Sequence, residues 1–364
     1  MNKKYSELAE LFRSEKTDEE ILDFLLNYHK NDIADMMAGM TEEERKRLYH
    51  LLGAQKVAEI FKYIEEPRKY IRELSVESAA RVISEMDSDD AVDLLEDLDP
   101  EEKEQIVRML DEDAKKDVKM LLSYDEEEIG SCMTTNYICI PENLTIRQAM
   151  SELVKQAGEN DNIMTIYVVD EKGVFAGAID LKDLIRAREN AHLEDLVLKS
   201  YPYVTDHEKI DDCMDRILDY AEDSIPVLSE DKKILGVITS EDLIEMVDNE
   251  MGEDYAKLAG LTAEEDLKEP TLQSMKKRLP WLIILLFLGM AVSSVVGLFE
   301  NVVAVLPIVI CFQSLVLDMA GNVGTQSLAV TIRVLMDENL TGKQKFQLVV
   351  KEVKTGSLNG ILLG

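Results

Sequence analysis

A long uncharged segment constrains this chain more than any other feature. Residues Leu279–Phe299 are 21 consecutive positions without a charged side chain, enough for a helix to cross the hydrocarbon core of a bilayer. Lys276, Lys277 and Arg278 precede this segment directly, and Trp281 lies at its interfacial end. Because basic residues favour the cytoplasmic side, the sequence predicts a multi-pass protein of the cell membrane with a cytoplasmic N-terminal part.

A second apolar stretch covers residues 302–332, where the single ionisable side chain is that of Asp318. Polar and helix-breaking residues at this depth are unfavourable unless they face protein or water. A single one would be an ordinary helix–helix contact, but a cluster can offer carbonyl and amide oxygens to an ion. The candidate pore-lining residues are Pro307, Asp318, Gly321, Asn322, Gly324 and Gln326. A further apolar run begins at Gly356, and we expect a third, truncated span there.

The charge distribution excludes several classes of protein. The chain has 73 acidic and 40 basic residues and a net charge of −33, although residues 276–364 are slightly basic. A phosphate backbone would be repelled, so we expect no nucleic-acid partner. The four cysteines form no CxxC pair, and the opening residues are too polar for a signal peptide. No nucleophile motif or phosphate-binding loop is present, and we expect no enzyme activity.

Residues 1–130 repeat a helical pattern. Apolar residues recur at positions −7, −4, −3 and 0 of each unit, and units end ten or twelve residues apart, at Met40, Leu52, Ile64, Leu74, Met86, Leu98, Leu110 and Leu122. Thr41 with Glu44 forms a capping-box pattern, and Asp99 precedes a proline at a helix start. Because each short helix buries one stripe, the set is predicted to stack as an α-solenoid. Its acidic outer side chains fit either a solvated surface or a surface that needs a counter-ion.

Residues 131–247 contain an internal duplication. Residues 166–185 align without a gap on residues 225–244, with eight of 20 positions identical. Each copy is a strand–turn–strand–helix unit with alternating apolar residues. The acidic segment that follows, residues 248–275, predicts a short helix interrupted at Gly252. It is either a hydrated linker or a connector that transmits movement to the membrane part.

The duplicated module resembles a pair of CBS domains, at about residues 131–190 and 198–247. Many such pairs bind adenosyl ligands, and the resemblance implies Asp183, Thr239 and Asp242 as nucleotide-binding candidates. The first copy has Asp180 where the second has Thr239, so a purely structural, dimer-forming role is the alternative.

Taken together, the order of parts resembles the MgtE family of magnesium transporters. It implies an all-α solenoid (1–130), an α/β tandem CBS pair (131–247), a connecting plug helix (248–275) and an incomplete α-helical transmembrane domain (276–364). The family is a homodimeric, channel-like Mg²⁺ importer with its pore between subunits. The resemblance therefore implies Mg²⁺ as both regulatory and transported ion, with ATP as a further candidate ligand.

The same resemblance implies a set of ion-sensing carboxylates. They are Glu59, Asp89 and Asp93 in the solenoid, Asp242 and Glu245 in the second CBS copy, and Glu253 and Asp254 in the connector. High cytoplasmic Mg²⁺ would hold these groups together and close the pore, because Mg²⁺ bridges carboxylates that otherwise repel. Two alternatives remain: a membrane-anchored CBS protein that senses adenine nucleotides, and a CBS-containing exporter of divalent cations.

Overall fold

The chain divides into two compact units, Met1–Leu243 and Ile244–Gly364. The computed structural model describes residues 12–13, 17–64, 66–158, 160–188, 191–258, 260–261, 270–299, 307–337 and 341–363. The first unit contains a helical domain followed by two three-stranded sheets, and the described part of the second unit is helical.

The N-terminal domain consists of short helices separated by tight corners. They are α1 (Asp18–Leu25), α2 (Lys30–Met37), α3 (Glu42–Phe61), α4 (Pro67–Ile71), α5 (Val76–Ser84), α6 (Ser88–Glu96), α7 (Pro100–Met109) and α8 (Glu112–Leu121). Helices two apart in the sequence pack together, as α3 does on α5, α5 on α7 and α6 on α8. This is the stacked arrangement that the helical repeat predicts.

Local signals set where these helices begin and end. At the start of α3, the Thr41 amide donates to Glu44 Oε2 (2.8 Å) and the Glu44 amide donates to Thr41 Oγ1 (3.3 Å), which confirms the capping box. Gly53 divides α3 with φ 76°, a conformation that favours glycine. The predicted repeat ends at Met86 and Leu98 each lie two residues beyond the ends of α5 and α6.

The two CBS copies have the same topology. In the first, β1 (Ile138–Pro141) pairs parallel with β2 (Thr165–Val169), which pairs antiparallel with β3 (Phe175–Asp180). In the second, β4 (Val204–Thr205), β5 (Ser224–Leu228) and β6 (Ile234–Thr239) pair in the same order. The helices α9 (Ile146–Gln156) and α10 (Leu181–Arg186) belong to the first copy, and α11 (Ile210–Tyr220) to the second. The duplication in the sequence is therefore a duplication of structure.

In each copy, a segment from outside the three-stranded sheet passes close to a glycine of the last strand. Thr134 forms an isolated bridge with Val237 of β6, and Leu198 forms the equivalent bridge with Ala178 of β3. The neighbouring glycines, Gly236 and Gly177, occupy the same position in the repeat. A Cβ added at Gly236 would lie 2.7 Å from the Thr134 carbonyl oxygen, and one at Gly177 would lie 2.6 Å from the Leu198 carbonyl oxygen. Only glycine allows this close approach of two backbones.

We expect Gly236→Ala to destabilise the CBS pair by about 1–3 kcal/mol, the usual range for an overpacked core. The added methyl group would meet a backbone carbonyl that cannot rotate away. Thermal unfolding measures the effect, and Gly173→Ala serves as a control because its added Cβ meets no atom within 4 Å. Gly173 has φ 76°, so its control variant loses some stability through strain alone. Equal losses for the two variants would contradict the close-approach argument.

Aromatic side chains join the two CBS copies. The Tyr167 hydroxyl lies 2.6 Å from Ser224 Oγ, and the Tyr201 hydroxyl donates to the Ser224 carbonyl at 2.8 Å. Tyr167, Tyr201 and Val237 form a buried cluster. The copies thus share a core rather than being two independent domains.

The remaining helices are α12 (Ser240–Leu258), α13 (Thr271–Gly297), α14 (Pro307–Asp337) and α15 (Gly342–Leu363). The prediction that Gly252 interrupts the connector is wrong: α12 continues through it, because one glycine in a helix is unfavourable by only about 1 kcal/mol. Among the described helices, α13 alone has the length and hydropathy of a membrane crossing, and its most apolar window has no buried residues.

Candidate functional site

Two helix N-termini bring acidic side chains together between the helical domain and the CBS pair. Asp89 lies in the first turn of α6, and Asp242 lies in the first turn of α12. Asp242 Oδ2 accepts from the Thr239 amide at 2.7 Å, and the Asp242 amide donates to Thr239 Oγ1 at 3.3 Å. This reciprocal cap fixes Asp242 opposite Asp89.

Polar contacts of the preceding residues hold the two parts in place. The Thr135 amide donates to Ser88 Oγ (2.9 Å), and Asn136 Nδ2 donates to Asp87 Oδ1 (2.7 Å). The Thr135 hydroxyl also donates to Asp117 Oδ2 at 2.8 Å. The start of α6 is therefore anchored directly to the segment that leads into the first CBS copy.

Lys62 supplies a positive charge at this interface. Its ammonium group pairs with the carboxylates of Asp87 and Asp90, at 3.4 Å from Asp90 Oδ2, and its side chain is 29% exposed. The attraction of these carboxylates raises the pKa of Lys62 although burial acts in the opposite direction. Lys62 is thus an internal counter-ion.

Asp89 does not belong to the described ion pairs of Lys62, although its charge also raises the pKa of that lysine. The Oδ1 atom of Asp89 is shielded from solvent, and no described group donates a hydrogen bond to it. Burial raises the pKa of Asp89 well above its usual range, and the negative charges of Asp242, Asp90 and Asp87 raise it further. Burial likewise raises the pKa of Asp242 to about 6, against the lowering effect of the Thr239 hydrogen bonds. The Asp89 backbone amide lowers the pKa of its carboxyl group in part, but a buried carboxylate oxygen without a donor is unfavourable unless a proton or a cation neutralises the charge.

Asp93 is linked to Asp89 and Asp242 because all three carboxylates act on the thiol of Cys132. The half-buried Cys132 thiol ends a short 3₁₀ helix, Ile129–Cys132, and burial raises its pKa. The charges of Asp93, Asp242 and Asp89 all raise that pKa as well. The charges of three predicted carboxylates, from the helical domain and the second CBS copy, therefore act on one thiol, and we call them and Cys132 the interface cluster.

Glu59 lies apart from the interface cluster. It pairs with Lys30 at 2.9 Å and lines a cleft of about 660 Å³, which we call the acidic cleft. The other acidic residues of its lining are Glu85, Asp87, Asp111, Glu112, Asp113, Asp117 and Asp161, and Lys62 is the basic residue among them. Within the described ranges, no three His, Cys, Asp or Glu side chains stand close enough to hold one metal ion.

Two of the remaining predicted ligands, Glu245 and Asp183, are exposed and do not belong to the interface cluster. Glu253 and Asp254 lie in α12, but their side chains are outside the described residues. Their proposed roles stay predictions.

The predicted pore residues lie on α14, which is continuous from Pro307 to Asp337. Asp318, Asn322 and Gln326 are exposed and four residues apart, so they share one helix face. Asn322 Nδ2 donates to Asp318 Oδ2 at 3.4 Å. Gly321 and Gly324 do not open the helix backbone, and the oxygens offered by this face come from side chains. The Pro307 side chain is outside the described residues.

Sequence reasoning missed Lys62 and Cys132. Lys62 follows α3 in the sequence, whereas its carboxylate partners lie at the start of α6, and no local pattern joins them. No sequence pattern marks Cys132 as a site residue, because it belongs to no CxxC pair. Its proximity to three carboxylates depends on the packing of the CBS pair against α6.

The raised pKa values predict that acid stabilises the first unit, Met1–Leu243, in the absence of divalent ions. Asp89, Asp90 and Asp242 bind protons more tightly in the folded state than in the unfolded state. Their contribution is therefore present below the ordinary pKa of about 4 and is lost as pH rises through the folded value, near 6 for Asp242. We expect the melting temperature in chelator to fall between pH 5 and pH 8, and Mg²⁺ to reduce that fall.

His207 contributes with the same sign, because its hydrogen bond to Glu128 raises its pKa. His207→Gln is the control: it should keep most of the fall, whereas Asp242→Asn should flatten it. A fall that disappears in His207→Gln and persists in Asp242→Asn would contradict the assignment.

Three family profiles match the chain. The MgtE intracellular N domain covers residues 28–127, the CBS domain covers residues 127–190 and 193–249, and a divalent cation transporter domain covers residues 313–364. The profiles follow the helical domain, the duplicated sheets and the described helices α14 and α15.

Whole-chain comparisons agree with these profiles. The structure resembles the soluble part of a magnesium transporter (TM-score 0.65, 30% identity, 68% of this chain and 98% of that chain). It also resembles the cytosolic domain of the Mg²⁺ channel MgtE in complex with ATP (TM-score 0.59, 26% identity, 66% of this chain and 99% of that chain). The magnesium transporter MgtE of Enterococcus faecalis is 38% identical over 368 residues, which cover all of this chain and 81% of that protein. The resemblance of the sequence is thereby confirmed, and the chain belongs to the MgtE family of magnesium transporters.

Proposed function

We propose that this chain is the subunit of a homodimeric Mg²⁺ importer of the cell membrane, and that its cytoplasmic domains sense intracellular Mg²⁺ and close the pore. One observation carries the proposal: Asp89 Oδ1 is buried beside Asp242, and no described group donates to it. Such an arrangement is unfavourable unless the charge is neutralised under some condition. Mg²⁺ is the cation named by the family.

Repulsion between the carboxylates of the interface cluster supplies the free energy that would separate α6 from α12 at low Mg²⁺. Two carboxylates about 5 Å apart repel each other by roughly 3 kcal/mol at an effective dielectric constant near 20. Mg²⁺ keeps several of its waters and binds through one or two carboxylates, so it needs no closed protein cage. High Mg²⁺ would hold α6 against α12, and low Mg²⁺ would let repulsion separate them.

Several ions acting together would make the response steep. Glu59 in the acidic cleft, and Glu245, Glu253 and Asp254 along α12, are the further carboxylates that we propose as ligands. Each bound ion favours the same closed state, so their differential affinities multiply.

The second unit offers a route from the connector to the membrane. Gly260, just beyond α12, has φ 75°, and a Cβ added there would clash with the indole ring of Trp281 in α13. We propose that the connector acts on the pore through this contact. The face of Asp318, Asn322 and Gln326 would line the path of the ion, because carboxylate and amide oxygens are the ligands that Mg²⁺ prefers.

We propose ATP as a second ligand, at the second CBS copy. The supporting observations are the ATP complex of a structural relative and the well-ordered turn formed by Thr239 and Asp242. In the first copy Asp180 caps α10 by accepting from the Lys182 amide at 2.9 Å. That leaves Asp183 as the exposed acidic residue of the equivalent turn.

Limited proteolysis of the full chain in membranes tests the proposal. Rising Mg²⁺ should protect the segment between the helical domain and the CBS pair, with equal concentrations of Ca²⁺ less effective. ATP without a divalent ion should protect less than Mg²⁺. Protection by ATP alone, with none by Mg²⁺, would instead support the nucleotide-sensing alternative.

A further inference from the structure

A small cavity in the helical domain differs in charge from the surface around it. It has a volume of about 230 Å³ and lies between α3 and α5. The polar side chains of its lining are those of Lys46, Tyr49, His50, Ser78 and Arg81. We call it the basic cavity.

Every polar side chain in this lining can donate a hydrogen bond, and none of the lining residues is a carboxylate. This is unusual in a chain with 73 acidic residues and a net charge of −33. Among the described residues, Lys46 pairs with Glu42, four residues earlier and 57% exposed, and a pair of this kind is weak in water. Arg81 Nη2 contacts Ser78 Oγ at 3.3 Å, so its guanidinium group stays beside the hydroxyl.

A further feature of the same wall favours a negatively charged ligand. The break at Gly53 starts a new helical segment at Ala54, and both residues line the cavity. A helix start presents backbone amides and the positive end of the helix dipole.

We propose that the basic cavity binds a phosphate-type oxyanion. Its volume lies below the usual range of about 300–1,000 Å³ for pockets that enclose a whole small molecule, so it suits a single phosphate group. Lys46 and Arg81 would supply the charge, and His50 and Ser78 would supply hydrogen bonds. The site is distinct from the interface cluster and does not depend on Mg²⁺ sensing.

The position of the basic cavity gives the ligand a structural consequence. The segment from Ala54 to Phe61 carries Val57 on the basic cavity and Gln55 and Glu59 on the acidic cleft. Helix α5 also lines both, through Arg81 at the basic cavity and Ser84 at the acidic cleft. An anion in the basic cavity and a cation in the acidic cleft would therefore contact the same two helices.

Phosphate titration of the full chain in detergent tests the proposal, with ³¹P line broadening as the readout and Mg²⁺-free buffer to prevent complexation. Inorganic phosphate is the probe. We expect saturable binding, weakened at least about tenfold in Arg81→Gln and in Lys46→Gln, since each removes a hydrogen bond to a charged group. The matched controls, Arg108→Gln and Lys155→Gln, remove exposed basic side chains elsewhere and should bind as the wild type does.

A second arm distinguishes free phosphate from a nucleotide. If ATP competes with phosphate equally well in Asp242→Asn and in the wild type, the basic cavity binds a phosphate group of the nucleotide. ATP that does not compete would leave free phosphate as the ligand. The proposal is overturned if phosphate shows no saturable binding, or if Arg81→Gln and Lys46→Gln bind it as tightly as the controls.

Discussion

Asp89→Asn should remove most of the proposed Mg²⁺ response of the first unit. The substitution keeps the size of the side chain and deletes its charge, so the repulsion from Asp242 disappears. We expect the variant in chelator to resist protease nearly as well as the wild type does in Mg²⁺. The ratio of cleavage rates between chelator and Mg²⁺ should fall by about tenfold, which corresponds to part of the repulsion of one carboxylate pair.

The control for this variant is Asp97→Asn. Asp97 is the exposed C-cap of the same helix, α6, and lies away from the interface cluster. It should leave the ratio unchanged. If Asp89→Asn kept the wild-type ratio while folding normally, the interface cluster could not be the sensor.

Lys62→Met should have the opposite effect. Lys62 holds the carboxylates of Asp87 and Asp90 together without any metal. Removing it leaves those charges uncompensated, so the interface should lose about 1–3 kcal/mol in chelator. Mg²⁺ should recover most of this loss, because a divalent cation can take the place of the ammonium group. The expected result is a larger difference between chelator and Mg²⁺ than in the wild type.

Calorimetric counting of Mg²⁺ provides a second measurement on Lys62→Met. We expect more Mg²⁺ bound per chain at saturation than in the wild type. Lys116→Met, an exposed lysine of α8, should bind as the wild type does. If protease cleaved the Lys62→Met variant equally fast with and without Mg²⁺, Lys62 would have a purely structural role rather than act as a substitute for the ion.

The helices and the duplicated sheets were predictable because their signals are local. Apolar spacing, the Thr41 capping box and the ungapped repeat each depend on residues close together in the sequence. The same reasoning failed at Gly252, where composition suggested a break that neighbouring turns of α12 override. It also expected the glycines of α14 to expose the backbone, whereas the helix continues through Gly321 and Gly324.

The candidate site was predictable only in part. Asp89, Asp93 and Asp242 came from the family resemblance, and in the structure the charges of all three raise the pKa of Cys132. Lys62 could not be assigned to the site, because its contacts with Asp87 and Asp90 depend on how α3 packs against later helices. Long-range ion pairs of this kind have no spacing that a sequence displays.

The rate at which Cys132 reacts with a thiol reagent tests the central claim most directly. The full chain with Cys139, Cys213 and Cys311 replaced by Ala leaves one thiol, in the middle of the interface cluster. We expect Cys132 to be labelled several-fold faster in chelator than in millimolar Mg²⁺, and we expect Ca²⁺ to slow the labelling less than Mg²⁺ does. Equal labelling rates with chelator and with Mg²⁺ would contradict the central claim, because α6 and α12 would then stay together whether or not the ion is present.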